Sequence, residues 1–146
     1  AILLGLYFKN YRIGINALIA ITVPVACGLG IWGWASGSIG LAGTIVIAVS
    51  LGVVIDDAIH LIYQQVSALR NGLDEWESTA YSIHRVGTAI SATTAVLVLG
   101  LAPLLFSDFK VNATFAACTG IILLSSLVFD LVALPKLLVW SSRIER

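Results

Sequence analysis

The chain has 146 residues, 59% of them hydrophobic and only 11% charged, with eight basic and eight acidic residues and a formal net charge of zero. A soluble domain of this size would carry about a quarter charged residues, and a nucleic-acid binder would show a basic excess; this chain has neither. With a mean hydropathy of +1.00, it reads as an all-α polytopic membrane protein, because its apolar runs are too long and continuous for barrel strands.

In chain order, residues 1–8 read as the tail of a truncated helix whose start lies upstream. No basic n-region precedes Ala1-Ile2-Leu3-Leu4-Gly5-Leu6, so this is not a cleavable signal peptide. Lys9-Asn10-Tyr11-Arg12 is a basic, aromatic-flanked turn suited to an interface. A first full span is expected over about 13–34, with Pro24 inside it and Gly28, Gly30 and Gly33 toward its far end. Trp32 and Trp34 suit the opposite interface, and Ala35-Ser36-Gly37-Ser38 forms a tight loop. A second span covers about 39–65, and Arg70-Asn71-Gly72 ends that helix. Asp74-Glu75-Trp76-Glu77 then has the spacing of a capping box, opening a short amphipathic interfacial helix over about 74–84. The third span runs over about 86–106 and the fourth over about 113–140, separated by the polar turn Ser107-Asp108-Phe109-Lys110. Each span exceeds the ~20 residues needed to cross a bilayer, and together they make one transmembrane domain over 1–146. Cys27 and Cys118 fall inside apolar spans, where a disulfide is not expected.

Orientation follows from the basic residues near the span ends. In this threading Lys9, Arg12, Arg70, Arg85, Lys136, Arg143 and Arg146 share one side, and Lys110 stands on the other. The first side is expected to be cytoplasmic, with the carboxy terminus there and the protein in a bacterial inner membrane.

The second span carries an expensive feature. Asp56 and Asp57 stand side by side in Gly52-Val53-Val54-Ile55-Asp56-Asp57-Ala58-Ile59-His60, and an acid near the bilayer centre costs about 2.5–3.5 kcal/mol on insertion scales. On a helix, Gly52, Asp56, His60 and Tyr63 or Gln64 fall along one face, with Asp57 next to Asp56. Such a stripe must face protein or a water-filled cavity. Two adjacent carboxyls can load a proton from one side and release it to the other, and His60, one turn on, ionises near physiological pH. These residues predict a proton relay. On the third span Ser91, Thr93 and Thr94 can hydrogen-bond a carboxylate on a neighbouring helix or bond their own backbone. On the fourth, Asp130 reads first as a surface cap or salt bridge, with an extension of the proton path as the second reading. His84 belongs at the water interface.

Other chemistries find no support. There is no Gly-rich phosphate loop and no Cys/His cluster with zinc spacing. An intramembrane aspartyl protease needs its acids on two facing helices, and these are neighbours on one. No enzymatic activity, cofactor or metal is expected, and nothing points to a nucleic-acid partner.

Residues 52–60 resemble the aspartate-bearing helix of the resistance–nodulation–division (RND) superfamily, in its MMPL-type and predicted-exporter branch, which is related to sterol-sensing domains. The similarity continues through Gly72-Leu73, Arg85-Val86-Gly87-Thr88-Ala89-Ile90, Thr93-Thr94 and Gly100, then Phe106-Ser107-Asp108-Phe109 and Asp130-Leu131-Val132-Ala133-Leu134-Pro135. The resemblance implies the later, carboxy-terminal part of one six-helix repeat. The large extracytoplasmic porter domain and the other repeat would then lie elsewhere in a longer transporter. It further implies proton-driven export of lipids or hydrophobic compounds, with Asp56 and Asp57 as relay acids and Thr93 or Thr94 as the hydroxyl on the neighbouring helix. One departure matters: the multidrug branch pairs its aspartates with a membrane-embedded lysine, which no span here contains away from its ends. His60 or a group in the other repeat would have to take that place. A non-transporting sterol- or lipid-sensing module of the same fold is the rival reading.

Overall fold

A computed structural model describes residues 11–36 and 41–143, all in helices or short turns with no strand among them. The expected truncated helix at 1–8 and the tip of the expected loop after Trp34 lie outside the described residues. Helix α1 spans Tyr11–Ser36 and α2 spans Leu41–Arg70. A turn at Asn71–Gly72 follows, where Gly72 takes a φ of 89°, a left-handed conformation that glycine adopts without a Cβ clash. The next helix is built in pieces: α3 at Glu75–Ser82, a π-helical turn at Ile83–Gly87, α4 at Thr88–Leu101 and a closing 3-10 turn at Ala102–Phe106. The last is α5 at Lys110–Val128, a second π turn at Phe129–Ala133 and α6 at Leu134–Arg143. Four of the resulting helices are long and apolar enough to cross a membrane: Gly14–Ala35, Gly43–Arg70, Glu75–Phe106 and Lys110–Val139. The chain is thus an all-α polytopic membrane protein.

The surface helix expected at 74–84 begins where its capping box lies, with the Asp74 amide donating to Glu77 Oε2 at 3.4 Å. It then runs directly into the third span, because the Ile83–Gly87 segment stays helical with one residue more per turn. The second π turn has a local cause. Pro135 has no amide to offer the carbonyl four residues earlier, and its ring crowds that position, so the ladder widens just ahead of it.

Helix α5 packs against α1, α2 and α4 and forms the centre of the bundle. Small residues let the backbones approach, as expected where no aqueous hydrophobic force drives helices together. One apolar cluster joins Ala17, Ala20 and Ile21 of α1 to Ala58, Leu61 and Ile62 of α2, together with Ile90, Leu134 and Leu138. A second joins Val25 to Val46, Val54, Cys118 and Ile122. The outward faces stay apolar, with Val96 69% and Leu99 71% exposed, as suits side chains that meet lipid. Cys27 is exposed and Cys118 buried, and both are free thiols.

One polar contact ties α3 to the bundle. Gln65 Nε2 donates to Thr79 Oγ1 at 2.9 Å across a buried interface, while Thr79 Oγ1 itself donates to the Glu75 carbonyl at 2.8 Å. Interhelical hydrogen bonds in membranes average about 0.6 kcal/mol and reach about 1.7. A double-mutant cycle with Gln65→Leu and Thr79→Val should return a coupling within that range when unfolding of the purified full-length protein is followed. A coupling of zero would show that the contact holds nothing in place.

Candidate ion-relay site

The register of α2 sorts its two acids. The buried side of this helix includes the line Val46, Ser50, Val54, Asp57, Leu61, Gln65 and Ala68, whose steps of four, four and three residues face the rest of the bundle. Asp57 therefore points inward and is 8% exposed. Asp56, one residue earlier, turns away: its side chain is 72% exposed, and that of His60 is 64% exposed. One turn apart on the same face, His60 Nε2 and Asp56 Oδ1 lie 3.4 Å from each other.

All three line a groove of about 470 Å³ together with Tyr63 and Gln64 of the same helix. Across it stand Arg85 and Val86 from the first π turn and Ala89, Ile90 and Thr93 from α4. The groove thus collects five of the residues expected at the relay: Asp56, Asp57, His60, Tyr63 and Thr93. Thr93 lines the groove, and its Oγ1 donates to the Ile90 carbonyl at 2.9 Å. Thr94 is not part of this lining. It is buried at 1% exposure, and its Oγ1 has no hydrogen-bond partner among the described residues. Ser91 bonds its own helix, donating to the Gly87 carbonyl at 2.7 Å.

Asp130 departs from its expected place. A surface cap or salt bridge needs an exposed carboxylate, yet Asp130 is completely buried and makes no salt bridge among the described residues. Its Oδ2 accepts a hydrogen bond from Ser126 Oγ at 3.0 Å, one turn back. The missed group is Arg85. Arg85 looks like an interfacial basic residue when the third span is taken to begin at 86, but the helix already starts at Glu75, which brings its guanidinium to the groove. There it donates to the Tyr81 hydroxyl and sits 5.7 Å from the centre of that ring. Ser126 carries the right signal, four residues before an acid on a helix, and its spacing alone predicts the contact.

Chemically, the groove is lined by residues bearing two carboxyls, an imidazole, two hydroxyls, an amide and a guanidinium. An acid and an imidazole in contact can pass a proton between them. Among the described residues no three His, Cys, Asp or Glu side chains converge as a metal site.

Residues 1–145 match the MMPL family. A "putative membrane protein" of Methanocaldococcus jannaschii is 26% identical over 149 aligned residues, which take in 97% of this chain and 37% of that protein. The chain therefore spans little more than a third of that relative's length. No solved structure matches the chain.

Proposed function

The chain belongs to the MMPL family, and on that premise we propose that it is the membrane-embedded, proton-coupled part of an exporter of lipids or other hydrophobic compounds. The observation that carries this reading is the groove in which Asp56, Asp57, His60 and Thr93 meet across two helices. Acids inside a membrane span are costly to keep, and their usual roles are ion pathways and proton relays. In the proposed cycle a proton entering the groove reaches Asp56 and His60, which are open to it, and passes to Asp57 on the bundle side. Neutralising Asp57 removes a charge from the helix interface and biases an alternating-access equilibrium, so that the ion gradient drives substrate movement without a catalytic step. His60, in contact with Asp56, or a group in the other repeat takes the balancing role that a span lysine fills in the multidrug branch.

By the positive-inside rule, the basic span ends support an orientation with the first residues of α1, the α2–α3 turn and the end of α6 on the cytoplasmic side. The other repeat, the porter domain and the hydrophobic substrate are the partners this reading requires. The test uses the full-length protein in proteoliposomes, with efflux of a fluorescent lipid as the readout. An imposed pH gradient should drive efflux, and a sodium gradient at constant pH should not. Lipid binding with movement indifferent to the pH gradient would overturn the proposal in favour of a lipid- or sterol-sensing module.

A further inference from the structure

We infer that Asp130 is a second proton-carrying group of the same relay, buried on the Phe129–Ala133 turn that packs against α2, the helix of Asp57. The inference rests on the proton-relay reading of the groove and extends it into the bundle. Asp130 is 0% exposed, and only one of its oxygens is satisfied: Oδ2 accepts from Ser126, while Oδ1 has no hydrogen-bond partner among the described residues. An ionised carboxylate left with a bare oxygen in a dry site is among the costliest arrangements a membrane protein can hold. A proton on Oδ1 relieves it, converting the unsatisfied acceptor into part of a neutral acid.

The surroundings supply the source of that proton. The turn carrying Asp130 packs against α1, α2, α5 and α6, and the ionisable groups these elements present are few. From α2 comes the buried Asp57, while Asp56 and His60 face the open groove. Among the described side chains of α1, Cys27 lies on an outer surface with Phe129. Lys136 of α6 sits in another surface groove, with Leu131 and Val132, and α5 offers Cys118, which packs with Val46 and Val54, and Lys110 at its far end. Burial of both carboxyls on packed elements disfavours ionising them together, and a proton moving between them lowers that cost. In the transfer an O–H bond breaks at Asp57 and one forms at Asp130 Oδ1, and the negative charge moves the opposite way between helices. No other reactant is needed.

The backbone makes this a place where charge can become movement. Asp130 lies in a π turn, a widened ladder often found at functional sites. The next residue, Leu131, rests on Gly87 of the other π turn, where an added Cβ would come within 3.1 Å of Leu131 Cδ2. That second turn carries Arg85 and Val86 into the groove wall. Asp130 therefore lies in one irregular turn whose next residue touches the other.

The test is difference infrared spectroscopy of the reconstituted full-length protein between acidic and alkaline pH, in water and in deuterium oxide. The wild type should show two pH-dependent carboxylic-acid bands from buried groups. Asp57→Asn should remove one and shift the other, and Asp130→Asn should remove the second. A spectrum unchanged by Asp130→Asn would overturn the inference. Should Asp130→Asn fail to assemble, Ser126→Ala keeps both acids and should displace the Asp130 band; an unmoved band would be equally decisive against it. The same spectral change driven by sodium at constant pH would also overturn the assignment of a proton. Failure of the groove reading looks different, since transport would then lose its pH dependence in the wild type while the Asp130 band remains.

Discussion

Asp57→Asn in the full-length protein is expected to lower pH-driven export at least about 100-fold while leaving membrane insertion and expression intact. The size follows from what ionisation does at this position. An acidic side chain near the bilayer centre costs about 2.5–3.5 kcal/mol on insertion scales, and each 1.4 kcal/mol is a factor of ten in an equilibrium. If protonation switches that cost on and off, the bias on the transport equilibrium is roughly two decades, and an asparagine fixed in the neutral state removes it. The amide matches the carboxyl in size and keeps hydrogen-bonding capacity, so the 8%-exposed site tolerates it. Asp56→Asn is expected to block coupled export too, through the loading end of the path. Its side chain is 72% exposed to the groove, so its loss should leave stability unchanged. Normal pH-dependent transport in both variants would sink the relay reading.

The sequence and the fold agree best where a single helix decides the outcome. Apolar run length is a property of one segment, so the spans could be counted before any contact was known. The polar stripe of α2 is equally local: residues 56, 60 and 63 or 64 must share a face once the segment is helical. What composition left open was which acid faces the bundle. Asp56 and Asp57 are chemically identical, and only the packing of Val54, Ala58 and Leu61 against the neighbouring helices turns the second one inward.

Features that depend on two segments meeting were not legible in that way. Asp130 sits near a proline and near the basic end of its span, the usual setting of a surface acid, yet the π turn ahead of Pro135 swings it into the core. Arg85 was hidden by the missing loop between α3 and α4. A capping box marks where a helix starts, but no residue type marks a π turn, so the helix continued where an end was expected. The hydroxyls divide by the same logic. Thr93 and Thr94 are adjacent in sequence and fall on different sides of α4, so only one of them reaches the groove.

The glycines of α1 give the sharpest case of this difference, and the largest expected effect on stability. Gly28→Ala is expected to destabilise the bundle by about 1–3 kcal/mol, the usual range for inserting volume into a packed core, whereas Gly30→Ala should be neutral or slightly stabilising. A Cβ at Gly28 would stand 2.5 Å from Ile122 Cγ1 and 2.9 Å from Ile122 Cα. The side-chain clash could be relieved by a rotamer change, but the Cα is backbone, so α1 and α5 would have to move apart. Because α5 also packs on α2 and α4, that separation would loosen the apolar cluster around Val46, Val54, Cys118 and Ile122. At Gly30, two residues on, an added Cβ meets nothing within 4 Å, and alanine recovers up to about 1 kcal/mol of helix propensity relative to glycine. Thermal unfolding of the two purified full-length variants side by side would check this, with Gly28→Leu as a more severe third point. Equal melting temperatures for Gly28→Ala and Gly30→Ala would show that α1 and α5 do not make the close backbone contact on which the centre of this bundle depends.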